Sequence, residues 1–250
     1  MKPRTKQILL TICTVTCITV FVGYCIFAII YFCQDKELVV CANVEVCIED
    51  SASYQFVQQA DVYQYMHKKH IAPIGKPIGI NQCHQIEKTL SQMTQIKQVE
   101  CYMGYDSTLY IQLWQRYPIF RVMPAVGKSY YIDRDQKKMP TTANFTAYLP
   151  VVSGYVSLQE AQTEVFDFVQ YLLNDNLWKS MIAEIHVSKD KQFTLVSRQG
   201  IPYIELGSLQ DYPQKLKKLR AWYQQYPHKN DSNIYKKITI TYDQLIFCAK

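Results

Sequence analysis

The sequence holds little glycine and proline, 8 and 10 of its 250 residues, which excludes collagen-like and low-complexity architecture. It also lacks any long run of one charge sign. Its 27 Lys+Arg and 21 Asp+Glu are interspersed and leave a formal charge of +6. Nucleic-acid-binding proteins gather Lys and Arg on one stripe, so no such partner is expected. No GxSxG, HExxH or P-loop motif occurs, nor a CxxC among the nine cysteines. Cys13, Cys17, Cys25 and Cys33 lie in or beside one apolar run and read as small hydrophobes. The other five, Cys41, Cys47, Cys83, Cys101 and Cys248, are an odd number, so a dense disulfide framework is not expected, although one bridge stays open.

What the sequence does have is a long apolar segment near its start. From Ile8 to Phe32, 25 residues pass without Asp, Glu, Lys, Arg, His, Asn or Gln. As a helix this run reaches roughly 37 Å, more than the hydrocarbon core of a bilayer. It is too long for a signal-peptide core, and no small-x-small pattern precedes Gln34. Lys2, Arg4 and Lys6 precede it; Asp35, Lys36, Glu37, Glu45, Glu49 and Asp50 follow. The positive-inside bias therefore predicts a single-pass membrane anchor with residues 1–7 in the cytoplasm and the bulk of the chain outside. Thr16, Thr19 and Gly23 share a loose face, readable as helix packing or as ordinary small residues.

Beyond the anchor the periodicity predicts an α+β chain. Val40 to Glu49 alternates as a strand with Val40, Ala42, Val44, Val46 and Ile48 on one face. Helices are expected over residues 54–69 and 83–93, then strands over 96–105 and 109–117 around a Tyr105-Asp106-Ser107 turn. That order is strand, helix, helix, strand, strand, a compact module spanning 38–122. Residues 123–250 read as a mostly antiparallel sheet domain with two helices, over 158–173 and 213–226. Ser157 and Glu160 form a capping box ahead of the first. The chain is predicted to close on a β segment from Tyr235 to Phe247.

Three patterns invite a chemical reading. Asp133-Arg134-Asp135 has the DxD form with which some glycosyltransferases hold a metal and a sugar nucleotide. Its flanks, Tyr131-Ile132 and Gln136-Lys137-Lys138, favour an ordinary hairpin turn. Ser188-Lys189-Asp190-Lys191 fits S-x-x-K but lacks SDN and KTG companions and falls at a hairpin tip. His67 and His70, with His84 further on, could suggest a metal, yet Lys68 and Lys69 would repel a cation. Asn144 and Asn230 are formal glycosylation sequons. No catalytic residue, metal site, cofactor or small-molecule substrate is expected.

Arg116 to Val122, Ser129 to Pro140, Leu149 to Gly154 and Leu206-Gly207 follow one another in an order that resembles the bacterial division family FtsQ/DivIB. Arg116-Tyr117-Pro118-Ile119-Phe120-Arg121-Val122 is similar to that family's R-x-P-x-A-R-V signature, with Phe120 at the usual small position. Ser129 to Pro140 and Leu149-Pro150-Val151-Val152-Ser153-Gly154 resemble its y-x-I-D and L-P-x-V-x-G blocks. Leu206-Gly207 with Lys215 and Leu219 resembles its LG…K…L stretch. Arg116, Pro118, Arg121, Gly154 and Gly207 are thus the signature positions, expected to be structural. The resemblance implies a POTRA module after the anchor and a β domain beyond it. It implies a non-enzymatic scaffold at the septum of the inner membrane, with the bulk periplasmic. The implied partners are an FtsB/FtsL-like pair and the septal peptidoglycan synthesis machinery, held by strand addition at the last sheet edge. By position the contact would fall on Tyr242, with Ile240, Thr241 and Asp243 beside it. Core packing is the alternative for Ile240, where it is favoured, and for Tyr242, where both readings stay open. Gln244 and Leu245 depart from the family run, and its Trp has no counterpart. The rival readings are an anchored glycosyltransferase built on Asp133 and Asp135, and another POTRA-bearing envelope assembly protein.

Overall fold

The computed structural model describes residues 3–32, 38–52, 54–143, 145–225, 235–240 and 247–249, with side chains of 3–11 and 32 left aside. Helix α1, Pro3–Phe32, contains the apolar stretch Ile12–Tyr31, none of it buried and long enough to cross a membrane. Its polar hydroxyls are satisfied inside the helix: Thr16 Oγ1 donates to the Ile12 carbonyl at 2.8 Å and Thr19 Oγ1 to that of Thr16 at 2.9 Å.

After α1 the predicted first strand is two. β1 (Val39–Val40) pairs with β3 (Pro77–Ile78), while β2 (Asn43–Ile48) joins β4 (Ile96–Met103) and β5 (Thr108–Gln115) in the order β2-β5-β4. The face of the chain switches at the break. Val44, Val46 and Ile48 are buried as expected, but Cys41 is buried in place of the exposed Val40. A single alternation cannot serve two different strand partners, and β3 carries too few apolar residues to announce itself. Helix α2 (Gln59–Lys68) begins later than predicted because Phe56 and Val57 are buried before it. Helix α3 (Ile80–Leu90) buries Cys83, Ile86 and Leu90.

β6 (Pro118–Pro124) enters a nine-stranded sheet with β7 (Tyr130–Asp133), β8 (Lys138–Pro140), β9 (Val151–Gly154), β10 (Ile182–Val187), β11 (Phe193–Ser197), β12 (Tyr203–Gly207), β13 (Lys237–Thr239) and β14 (Phe247–Ala249). The order is β14-β13-β12-β11-β10-β9-β6-β7-β8. Most pairs are antiparallel; β6 with β9, β9 with β10 and β12 with β13 are parallel. The last two parallel pairs need helical crossovers. Those are α4 (Leu158–Gln162), α5 (Glu164–Leu173) and α6 (Asn176–Met181) between β9 and β10, and α7 (Tyr212–Gln225) between β12 and β13. Val165, Phe168, Trp178, Leu216 and Leu219 from these helices form one core with Val122, Ile185, Leu195, Ile204 and Ile238 from the sheet.

Four helices therefore stand where two were predicted. The stretch 158–173 breaks at Thr163, whose hydroxyl bonds back to the Gln159 carbonyl at 2.8 Å and competes with the helical ladder. α6 was missed although Asp175 marks its start, accepting the Leu177 N–H at 3.0 Å as an N-cap.

The signature glycines have separate reasons. Gly154 adopts φ +94, and a Cβ there would lie 2.1 Å from the Val187 carbonyl oxygen of the paired strand. Gly207 adopts φ +75 at a register shift opposite Phe193. Next to it, Lys215 Nζ donates to the Leu206 and Ser208 carbonyls at 3.2 and 2.8 Å, which explains the spacing of that block. Phe120, the departure from the usual small residue, is fully buried, with its ring 6.4 Å from that of Phe166. Gly154→Ala is expected to cost at least about 2 kcal/mol, from left-handed strain and the strand clash together. Denaturant unfolding checks this, and an unchanged midpoint would contradict it.

Candidate partner-binding edge

A sheet of nine strands in open order ends twice, and the two ends differ in chemistry. At one end stands β8, Lys138-Met139-Pro140, with its turn held from below. Asp133, 1% exposed, takes Arg116 Nη1 on Oδ2 at 2.8 Å and the Asp135 and Lys137 N–H groups on Oδ1 at 2.9 and 2.7 Å. Arg134 lies over the Tyr117 ring, and its N–H donates to the Tyr117 carbonyl at 3.0 Å. The DxD triplet is thus a structural turn with its first carboxylate enclosed, not an open chelator. Asp135 pairs with Lys97 at 3.4 Å.

The rest of the signature is equally structural. Pro118 is buried at the start of β6. Arg121 Nη2 donates to Ser129 Oγ at 3.0 Å, with the guanidinium 5.9 Å from the Tyr131 ring centre. Beneath β7, Tyr131 packs with Phe56, Met139 and Ala147 in a small second core. Sequence reasoning missed Gln115, the residue that ties these pieces together. Wholly buried, it accepts the Val57 N–H at 2.9 Å and donates through Nε2 to Asp50 and the Tyr54 carbonyl. Its place at an inward position of β5, in a run of apolar inward residues, was the only available signal.

The two remaining chemical motifs dissolve in the same way. Lys191 of the S-x-x-K run salt-bridges Glu160 at 2.6 Å and donates to the Tyr155 carbonyl, while Ser188 Oγ accepts the Gln192 N–H. His67 and His70 are exposed at the end of α2, and no group of three or more His, Cys, Asp or Glu converges among the described residues. On the open face, Ser153 Oγ lies 2.5 Å from Glu184 and 2.9 Å from His186 Nδ1. The serine has one proton, and giving it to the carboxylate requires His186 to donate. This histidine is then no base for Ser153.

The other end of the sheet is β14. Its inner neighbour β13 is paired on both sides, parallel to β12 and antiparallel to β14. Ile240, one of the expected contacts, is 1% exposed and belongs to the core, its N–H donating to the Glu205 carbonyl at 2.8 Å. Its side chain is therefore packing and not a docking surface. Thr241, Tyr242 and Asp243 lie outside the described residues, as do Asn144 and Asn230. Outermost is β14 itself, with Phe247 53% exposed and no strand on its far side among the described residues.

β13 is stapled to β12 on the open face. Lys237 Nζ pairs with Glu205 Oε1 at 2.5 Å, and Thr239 Oγ1 donates to Glu205 Oε2 at 2.9 Å. Burial pushes the Glu205 carboxyl up, but the Lys237 and Thr239 hydrogen bonds and the Lys237 charge together hold it below its ordinary value. A carboxyl lowered in the folded state stabilises above its unfolded pKa and loses that contribution as pH falls through the folded one. Glu205→Gln is expected to speed amide exchange at Ile238 and Ile240 at neutral pH. Compared at equal pH, the difference from wild type should vanish on the acid side of the Glu205 titration. A difference that persists at low pH would contradict the staple.

With this geometry in place, the comparisons are informative. Residues 39–114 match a POTRA-like domain, and residues 117–249 match the family described as FtsQ/DivIB, C-terminal related. No curated protein matches the sequence. Among solved structures, the chain is similar to POTRA1-2 of the periplasmic domain of Omp85 from Anabaena, at 11% identity over 80% of this chain and 92% of that one, TM-score 0.29. It is similar also to POTRA1-3 of the same periplasmic domain, at 12% identity over 80% and 59%, TM-score 0.27. Since the C-terminal match spans more than half of the 250 residues, the chain belongs to the FtsQ/DivIB family, with a POTRA-like domain ahead of its C-terminal one.

Proposed function

We propose that this protein is a non-enzymatic scaffold of the division machinery that holds an FtsB/FtsL-like pair by strand addition along the outer edge of its C-terminal sheet. One observation carries the reading: the two edges of the sheet are treated oppositely. Both edge strands are three residues long, but β8 carries Lys138 and Pro140, the residue types that discourage edge pairing. β14, Phe247-Cys248-Ala249, carries neither charge nor proline. An unpaired strand offers its N–H and C=O groups to any extended segment, and such main-chain docking tolerates side-chain change. The departures at Gln244 and Leu245 are compatible with it on that ground.

In this reading Tyr242 supplies side-chain selectivity from the segment joining β13 to β14, with Thr241 and Asp243 beside it. The anchor holds residues 1–7 in the cytoplasm and the remainder outside, at the division septum of the inner membrane. The scaffold thereby links cytoplasmic division proteins to the septal peptidoglycan synthesis machinery. The enclosure of Asp133 speaks for a scaffold over a glycosyltransferase, and the family speaks for division over other envelope assembly.

With the full chain in nanodiscs, adding the FtsB/FtsL-like pair should protect the amides of 247–249 from exchange. Tyr242→Ala should lower partner recovery about tenfold, a loss of roughly 1.4 kcal/mol, with the thermal unfolding unchanged. Full recovery together with unprotected β14 amides would remove the strand-addition reading.

A further inference from the structure

We propose that the anchor-proximal end of the POTRA-like domain is a membrane-contacting surface, built to rest in the interfacial zone of the bilayer that α1 crosses. The proposal rests on the reading of α1 as a span. It goes beyond the scaffold function by assigning a lipid partner to a surface distant in sequence from β14.

Residues 1–45, 73–86 and 101–110 form one compact unit. Three short backbone bonds knit its exterior segments together. The Cys41 N–H donates to the Lys76 carbonyl at 3.0 Å, the Gly75 N–H to the Cys41 carbonyl at 2.8 Å, and the Ala42 N–H to the Ser107 carbonyl at 2.8 Å. The start of the folded exterior, the β3 loop and the tip of the β4–β5 hairpin therefore converge on one place.

That place is apolar where a water-facing end should not be. Leu38, Val40, Ile74 and Ile80 are each between 56% and 64% exposed. Leu38 Cδ2 lies 3.1 Å from where a Cβ on Gly79, the residue before Ile80, would sit, while Val40 pairs with Pro77 across the β1–β3 ladder. Tyr105 is wholly exposed at the hairpin tip. Its turn is braced by the Gly104 N–H to the Thr108 carbonyl at 2.9 Å and by Asp106, which accepts the Thr108 N–H at 3.1 Å. Single exposed hydrophobes need no explanation, but a cluster on a tethered domain marks an interaction surface.

The occupant follows from the tether. Five residues, 33–37, separate Phe32 from Leu38, and a trans chain covers at most about 20 Å over that interval. Leu38 and the segments bonded around it thus lie no further than about 20 Å from the end of α1, within reach of the headgroup layer. Exposed aliphatics lose their hydration cost there, and a tyrosine ring suits the headgroup level, apolar at its body and wet at its hydroxyl. Lys76, exposed between Ile74 and Pro77, can lay its stem on the same surface and reach lipid phosphate.

Depth-dependent quenching tests this with the full chain reconstituted in phosphatidylethanolamine–phosphatidylglycerol vesicles whose acyl chains are brominated, in separate samples, near the headgroup or near the terminal methyl. Phe21→Trp reports the span; Tyr105→Trp and Ile74→Trp report the surface. The same variants in unbrominated vesicles are the reference, with wild-type emission subtracted throughout. The expected result is loss of emission from Phe21→Trp with the deep bromines and from Tyr105→Trp and Ile74→Trp with the shallow ones. Quenching of Phe21→Trp alone would overturn the proposal while leaving the span intact and would hand the surface to a protein partner. Absence of quenching at Phe21→Trp would overturn the span, and this proposal with it.

Discussion

A sheet that does not close on itself must leave a row of backbone donors and acceptors at each end, and the architecture of this chain follows from how it treats those two rows. At β8 the row carries Lys138 and Pro140 and is anchored by the Asp133 turn. At β14 it is left plain. Between them seven strands and four helices share one core, which fixes where the ends fall. The parallel β12–β13 pair matters most here. By sending the chain over the sheet through α7, it spends β13 as an interior strand and makes β14 the terminus.

The enclosed polar groups serve the same arrangement. Asp133 is deeply buried, and its partner Arg116 is only slightly exposed. Such a pair is weak as a source of net stability but costly to break on one side, since the surviving charge is left without a partner. Its value is geometric: it holds the β7–β8 turn beneath Arg116. Gln115, next in sequence, performs the parallel task for the approach to α2, with both ends of its amide engaged. Family-signature residues here are framework, and the proposed docking surface lies where the signature stops.

Much of this was legible in the residues. The long apolar helix, most main strands and helices and the Asp133 turn come from apolar length, periodicity and turn chemistry, and the spacing of Gly154 and Gly207 was visible as motif. The reasons were not: nothing local says that Gly154 faces the Val187 carbonyl, which belongs to a strand more than thirty residues on. The split of β1 from β2 was hidden because both halves alternate and only their partners differ. The helix break at Thr163 was hidden because its apolar face continues through it. At the candidate site, Ile238 and Ile240 share a face, as alternation implied, and both are core. That β13 would be covered by a further strand depends on a nonlocal pairing for which no sequence period exists.

The central claim is that a partner chain joins the sheet at β14 and nowhere else along its rim. A photo-crosslinking amino acid placed at Phe247, and in a separate strain at Pro140 on the opposite edge, tests this directly in dividing cells. The account predicts capture of the FtsB/FtsL-like pair from position 247 and none from position 140. Capture from position 140, with silence at 247, would contradict it.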